Sequence, residues 1–101
     1  MRLRVSREAD EELTSIAQWY EQQRAGLGEE FVAEALDAYE KIRRHPLRYP
    51  RSPARTSHHV RQFRLDTFPH AVIYEIRDEE ILVAAIAHPS RKLGYWRKRL
   101  H

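Results

Sequence analysis

Phe68-Pro69-His70-Ala71-Val72-Ile73-Tyr74-Glu75-Ile76, followed after Arg77-Asp78-Glu79 by the run Ile81-Leu82-Val83-Ala84-Ala85-Ile86-Ala87, is the stretch that decides the fold. Its apolar residues are mostly β-branched or aromatic, the side chains that pack best on a pleated surface. Each run is short for a helix and is bounded by proline or by charged residues, so both read as strands. A link as short as Arg77-Asp78-Glu79 makes the two strands antiparallel neighbours. Upstream, Val60, Phe63 and Leu65 show the same drift from a period of 3.6 toward 2. They supply another strand, joined to the next through Phe68-Pro69, and a meander is expected from His58 to Ala87.

Toward the N-terminus the period lengthens. Ala9, Leu13, Ile16, Ala17 and Tyr20 form the apolar stripe of an amphipathic helix, and Phe31, Val32, Ala35, Leu36, Tyr39 and Ile42 form a second. Ser6 is placed to cap the first helix, with Glu8, Asp10, Glu11 and Glu12 favoured by the positive end of its dipole. Gly26-Leu27-Gly28 breaks the two apart near Arg24, while Pro46 and Pro50 bar the second from continuing past about Arg44. Leu3 and Val5, alternating with Arg2, Arg4 and Ser6, read as a short first strand. The expected fold is α+β in the order β-α-α-β-β-β. It is a small antiparallel sheet covered by an N-terminal helical hairpin, with a short C-terminal turn or helix after Pro89, all in one domain over residues 1–101.

The 101 residues are 42% hydrophobic and 33% charged, enough for one modest core and no separate regulatory domain. No cysteine is present, which excludes disulfides, thiolate metal sites and a cysteine nucleophile. The run from Ile81 to Ala87 falls far short of the ~20 apolar residues that span a bilayer. The polar start Met1-Arg2-Leu3-Arg4 is not that of a signal peptide, so the expected compartment is the cytoplasm, with no membrane partner.

Charge is distributed unevenly. Residues 1–40 carry four basic and ten acidic side chains, net −6, and residues 41–101 carry fourteen basic and five acidic, net +9. A pI near 9.5 with the positive charge in one half points to a polyanionic partner, either nucleic acid or an acidic protein segment. Fifteen of the 18 basic residues are arginine, whose planar fork matches phosphate and carboxylate; base composition of the genome accounts for the bias equally well.

Among the groups able to do chemistry, the helix carboxylates read as a solvated face. His58 and His59 are adjacent on a strand and point to opposite sides, so neither metal nor cofactor is expected. What remains is the basic sheet and C-terminal edge. Arg55, His58, Arg61, Arg64, Arg91, Lys92, Arg97, Lys98 and Arg99 form the candidate surface for a target or for nucleic acid. His88, Arg91 and Tyr95, spaced by 3 and 4, share a face if a helical turn forms there. With Arg61 and Arg64 they are the candidate catalytic set for metal-free RNA cleavage, in which a base activates the 2′-hydroxyl and arginines stabilise the phosphorane. The alternative is structural: His88 caps a turn, Arg91 pairs with the acidic helices, and Tyr95 and Trp96 pack as aromatic core.

The element order, together with Gly28-Glu29-Glu30-Phe31, Ile42-Arg43-Arg44-His45-Pro46, Phe68 to Ile76 and Ala85-Ile86-Ala87-His88-Pro89-Ser90-Arg91, resembles the RelE/ParE superfamily of bacterial toxins. It resembles most the ParE-like plasmid stabilisation branch. The resemblance implies the toxin of a type II toxin-antitoxin pair, neutralised by a cognate antitoxin and meeting operator DNA only through the antitoxin complex. The antitoxin is expected to be acidic or amphipathic, partly disordered alone, and to lie over the hairpin and the positive sheet. ParE-like members poison DNA gyrase without a catalytic centre, whereas RelE-like members cleave mRNA on the ribosome. On the RelE-like reading Arg61 or Arg64, Arg91 and Tyr95 stand where phosphate-handling groups belong. The lysines used before the central strands are replaced here by Arg48, Arg51, Arg55 and His58.

Overall fold

The computed structural model describes residues 1–100. Strand β1 (Arg2–Val5) leads into helices α1 (Arg7–Gln23) and α2 (Leu27–Arg44), followed by β2 (Val60–Arg64), β3 (Ala71–Ile76), β4 (Glu80–Ala87) and a 3₁₀ turn at Arg97–Arg99. Ser6 caps α1 as expected, its hydroxyl accepting from the Ala9 N–H at 3.1 Å. Helix α2 lacks such a residue at its own start. Its first amides are met across the hairpin by Glu21, whose carboxylate accepts from Gly26 at 2.9 Å and Gly28 at 3.0 Å. Both glycines are required: Gly26 sits at φ 89°, and a Cβ on Gly28 would lie 2.5 Å from the Ala17 carbonyl oxygen.

The strand order is β1-β4-β3-β2. β2, β3 and β4 form the expected antiparallel meander, with Phe63 opposite Val72 and Val72 opposite Ile86. β1, however, joins β4 in parallel, Leu3 beside Ile81 and Val5 beside Val83, so the sheet is mixed rather than antiparallel throughout. Residues 6–79 lie between these two strands, and the helical hairpin, followed by β2 and β3, supplies the long crossover that parallel neighbours need.

A bulge interrupts β4. Tyr74 faces Val83 while Ile73 faces Ala85, which leaves Ala84 as the extra residue and reverses the side to which later residues point. Ile81 and Val83 before the bulge and Ile86 after it therefore all pack beneath the helices with Phe31, Ile42, Val72 and Tyr74. On the other side Val60, Ile73, Leu82 and Ala85 pack against Trp96 and Leu100. Those last two are 2% and 4% exposed, so the C-terminal segment is a second covering layer rather than a free basic tail. Between His88 and Trp96 the chain makes successive tight turns, Arg91 N–H to His88 O and Tyr95 N–H to Lys92 O, in place of a helical turn. Gly94 and Pro89 in that stretch both resist a regular helix.

Candidate functional site

The C-terminal layer is tied down by one carboxylate. β1 stops at Val5 whereas β4 continues to Ala87, so past Val83 no strand of the described residues lies along the outer edge of β4. Side chains meet the backbone there instead. Glu12 of α1 accepts from the Ile86 N–H at 3.0 Å, the Tyr95 hydroxyl at 2.7 Å, and the Arg99 guanidinium at 3.0 and 3.2 Å. Arg99 also donates to the carbonyl of the bulged Ala84 at 3.0 Å. Arg91 completes the group: it lies 4.0 Å from Glu12, and its guanidinium stacks 3.8 Å above the Tyr95 ring. Burial, reinforced by the bond to Glu12, holds the Tyr95 phenol well above the ordinary tyrosine range, so it stays a donor.

Beyond the Tyr95 ring, on the sheet side away from the helices, lies a cleft of about 240 Å³. Arg64, His88, Arg91, Lys92 and Tyr95 line it, together with Ser52 and Gln62, and no aspartate or glutamate does. The tertiary structure thus brings together five of the residues singled out from the sequence. They are not chemically equivalent. The Nδ1 of His88 accepts from the Ser90 N–H at 3.0 Å and faces the Ser90 hydroxyl at 2.8 Å, which places the neutral ring's proton on Nε2. His88 therefore offers an anion a donor, and Arg64 and Lys92 stand exposed beside it.

Other expected members lie elsewhere. Arg61 is three residues before Arg64 and so faces the opposite side of the sheet, where it donates to His59 Nε2 at 3.0 Å and to the Tyr49 carbonyl at 2.6 Å. His58 pairs through Nδ1 with Glu75, which is buried on β3 and also takes Arg77 at 2.6 Å. Arg97 folds back on its own turn, donating to the Gly94 and Leu93 carbonyls and to that of Arg55. Arg99 is committed to Glu12, and Arg55 and Lys98 are exposed outside the cleft.

Two further residues matter here. Glu12, which reads from the sequence as part of a solvated face, falls between Ala9, Leu13 and Ile16 at spacings of 3, 1 and 4, on the apolar stripe itself. A lone carboxylate there is the signal of a buried partner. His70 is 4% exposed and packs edge to face with Phe31 at 5.2 Å and His88 at 5.0 Å. Burial, with a smaller contribution from His88, pushes its imidazole down to about 4, so it is neutral at physiological pH. Nothing in the spacing marks it as buried, because it sits in the turn before β3.

The two-helix, four-strand fold and the cation-lined cleft define a small α+β domain with an anion-binding face. The solved structure titled "Chromosomal ParDE TA system from P. aeruginosa" matches with a TM-score of 0.66 at 20% identity, covering 87% of this chain and 95% of that one. No curated protein matches the chain. The family model described as ParE toxin of type II toxin-antitoxin system, parDE, matches residues 3–93, and the chain belongs to that family. It is a ParE-like type II toxin, the counterpart of an antitoxin. No helix among the described residues is long and apolar enough to cross a membrane.

Proposed function

We propose that this toxin arrests growth by binding in the cytoplasm, with its cation-lined cleft on DNA engaged by DNA gyrase, and that it is not a nuclease. One observation carries the reading. Both groups that RNA cleavage would use as a base are committed, Tyr95 as a donor to Glu12 and His88 through Nδ1 to Ser90. What the cleft offers an anion is a set of donors, Arg64, Arg91, Lys92 and the His88 Nε2–H; Glu12 lies behind Arg91, and no aspartate or glutamate is among the described lining residues. The cognate antitoxin neutralises the toxin by covering this cleft with an acidic segment. Charge directs that segment to the sheet side, because residues 7–44, which hold the hairpin, carry ten acidic against five basic side chains. Operator DNA is met only through the toxin-antitoxin complex.

The test is brief induction of the chain alone, with RNA 5′ ends mapped across the transcriptome and purified gyrase assayed for trapped, cleaved DNA. The expected result is gyrase-linked DNA breaks without new RNA ends, lost at least ~10-fold in the Arg64→Glu/Lys92→Glu variant. New ends inside translated codons would replace this reading with a ribosome-dependent mRNA endoribonuclease using His88, Arg91, Tyr95, Arg61 and Arg64. Growth arrest with neither signature would also overturn it.

A further inference from the structure

A second cleft adjoins the basic one and is unused by the reading above. Ile16, Trp19 and Tyr20 of α1 form one wall, His70 the floor, and His88 with Ser90 the far rim, around about 430 Å³. That volume lies within the range of small-molecule sites. The rings run edge to face, Trp19 to Tyr20 at 5.2 Å, Tyr20 to His70 at 6.0 Å and His70 to His88 at 5.0 Å. Trp19 is 57% exposed, so a broad aromatic surface is presented to solvent at the mouth. His70 is 4% exposed, and its Nδ1 has no partner among the described residues. That nitrogen is closed off from the surface, so what His70 presents to the cleft is ring surface rather than a hydrogen-bonding group.

His88 is common to this cleft and to the cation-lined one, so the two form a continuous surface around its ring. We propose that together they hold one nucleotide unit of single-stranded DNA, its base stacked on Trp19 against the His70–His88 pair and its phosphate beside Arg91 and Lys92. The phosphate half rests on the DNA-binding reading above; the base half rests on the aromatic cleft alone. Polarity follows from charge. On the α1 side of the His70–His88 pair, Glu8, Glu11 and Glu12 outnumber Arg91 and Arg99, which Glu12 already pairs, whereas the cleft beyond His88 is lined by Arg64, Arg91 and Lys92 with no aspartate or glutamate among its described residues. The strand must be single, or the base extruded, because a base stacked inside a duplex has no free face for Trp19.

The test titrates the full chain with an oligothymidylate of about 8 nucleotides and with an abasic strand of equal length and charge, at about 50 mM salt. Intact strand is expected to bind about 10-fold tighter than abasic strand and to quench Trp19 emission. The exposed Trp19→Leu change should abolish that difference while leaving the abasic affinity unchanged. Equal affinity for the two strands would remove the base subsite and leave the phosphate cleft standing. Failure of both strands to bind would overturn this site and the DNA contact, while gyrase trapping separately decides the target.

Discussion

Replacing Glu12 by alanine removes the acceptor of four hydrogen bonds at once: those from the Ile86 amide, the Tyr95 hydroxyl and both donor nitrogens of Arg99. Breaking a buried ion pair by deleting one partner costs about 3–5 kcal/mol, because the other charge is left uncompensated. The Glu12 and Arg99 side chains are 15% and 19% exposed, and Arg99 keeps the Ala84 carbonyl, so the lower end applies, about 3 kcal/mol. For a domain of this size that is a fall in Tm of roughly 12–24 °C. Glu12→Gln keeps a carbonyl acceptor but loses charge assistance and should cost about 1–2 kcal/mol. Urea unfolding followed by far-UV circular dichroism and by Trp96 emission, in a Trp19→Phe background, measures both the total and its location. Since Trp96 packs between the C-terminal layer and the sheet, its transition should precede that of the helices in Glu12→Ala. A double-mutant cycle with Tyr95→Phe should give a coupling of about 1 kcal/mol. A loss below about 1 kcal/mol in Glu12→Ala, or zero coupling, would refute the role of Glu12 as the tie between α1 and the C-terminal segment.

The remaining predictions concern pH and packing. His70 titrates at about 4 folded against 6.5 unfolded, so both states are neutral above 6.5 and the imidazole adds no pH dependence there. As pH falls from 6.5 toward 4 the unfolded chain takes the proton that the folded one resists, and stability drops by up to about 3 kcal/mol. His70→Phe should flatten that part of the stability profile; an unchanged slope in chemical denaturation would show that His70 is not held neutral. Gly28→Ala forces a methyl against the Ala17 carbonyl and should part the helices at a cost of about 1–3 kcal/mol, read from the urea midpoint. Trp96→Ala should cost about 3–5 kcal/mol, whereas an unanchored tail would tolerate it without measurable loss in calorimetry.

How much was legible in the chain depends on how local the determinant is. The hairpin and meander are written in periods of 3.6 and 2, and the break at Gly26-Leu27-Gly28 in two backbone requirements, all within a few residues of one another. The placement of β1 is not local: alternation in Leu3 and Val5 says strand, but its choice of the β4 edge, parallel, depends on where the hairpin returns the chain. The bulge at Ala84 likewise overrides alternation, since Ile86 joins the side of Ile81 and Val83 only through pairing with β3. Of the proposed surface, the separation of Arg61 from Arg64 was readable from their odd spacing, while the convergence of Arg64 with His88, Arg91 and Lys92 was not.

Element types, their order, the basic character of the second half and the family resemblance are all legible along the chain, because propensity, periodicity and charge are properties of neighbouring residues. Which charges are free is settled by the folded arrangement. Arg99 and Arg97 are consumed by Glu12 and by backbone carbonyls, Arg61 by His59 and the Tyr49 carbonyl, and Arg64 and Lys92 remain exposed at the cleft. A cation's availability is set by the partners that distant segments bring within about 4 Å, where the interaction is strong, and no pattern along the chain encodes that distance.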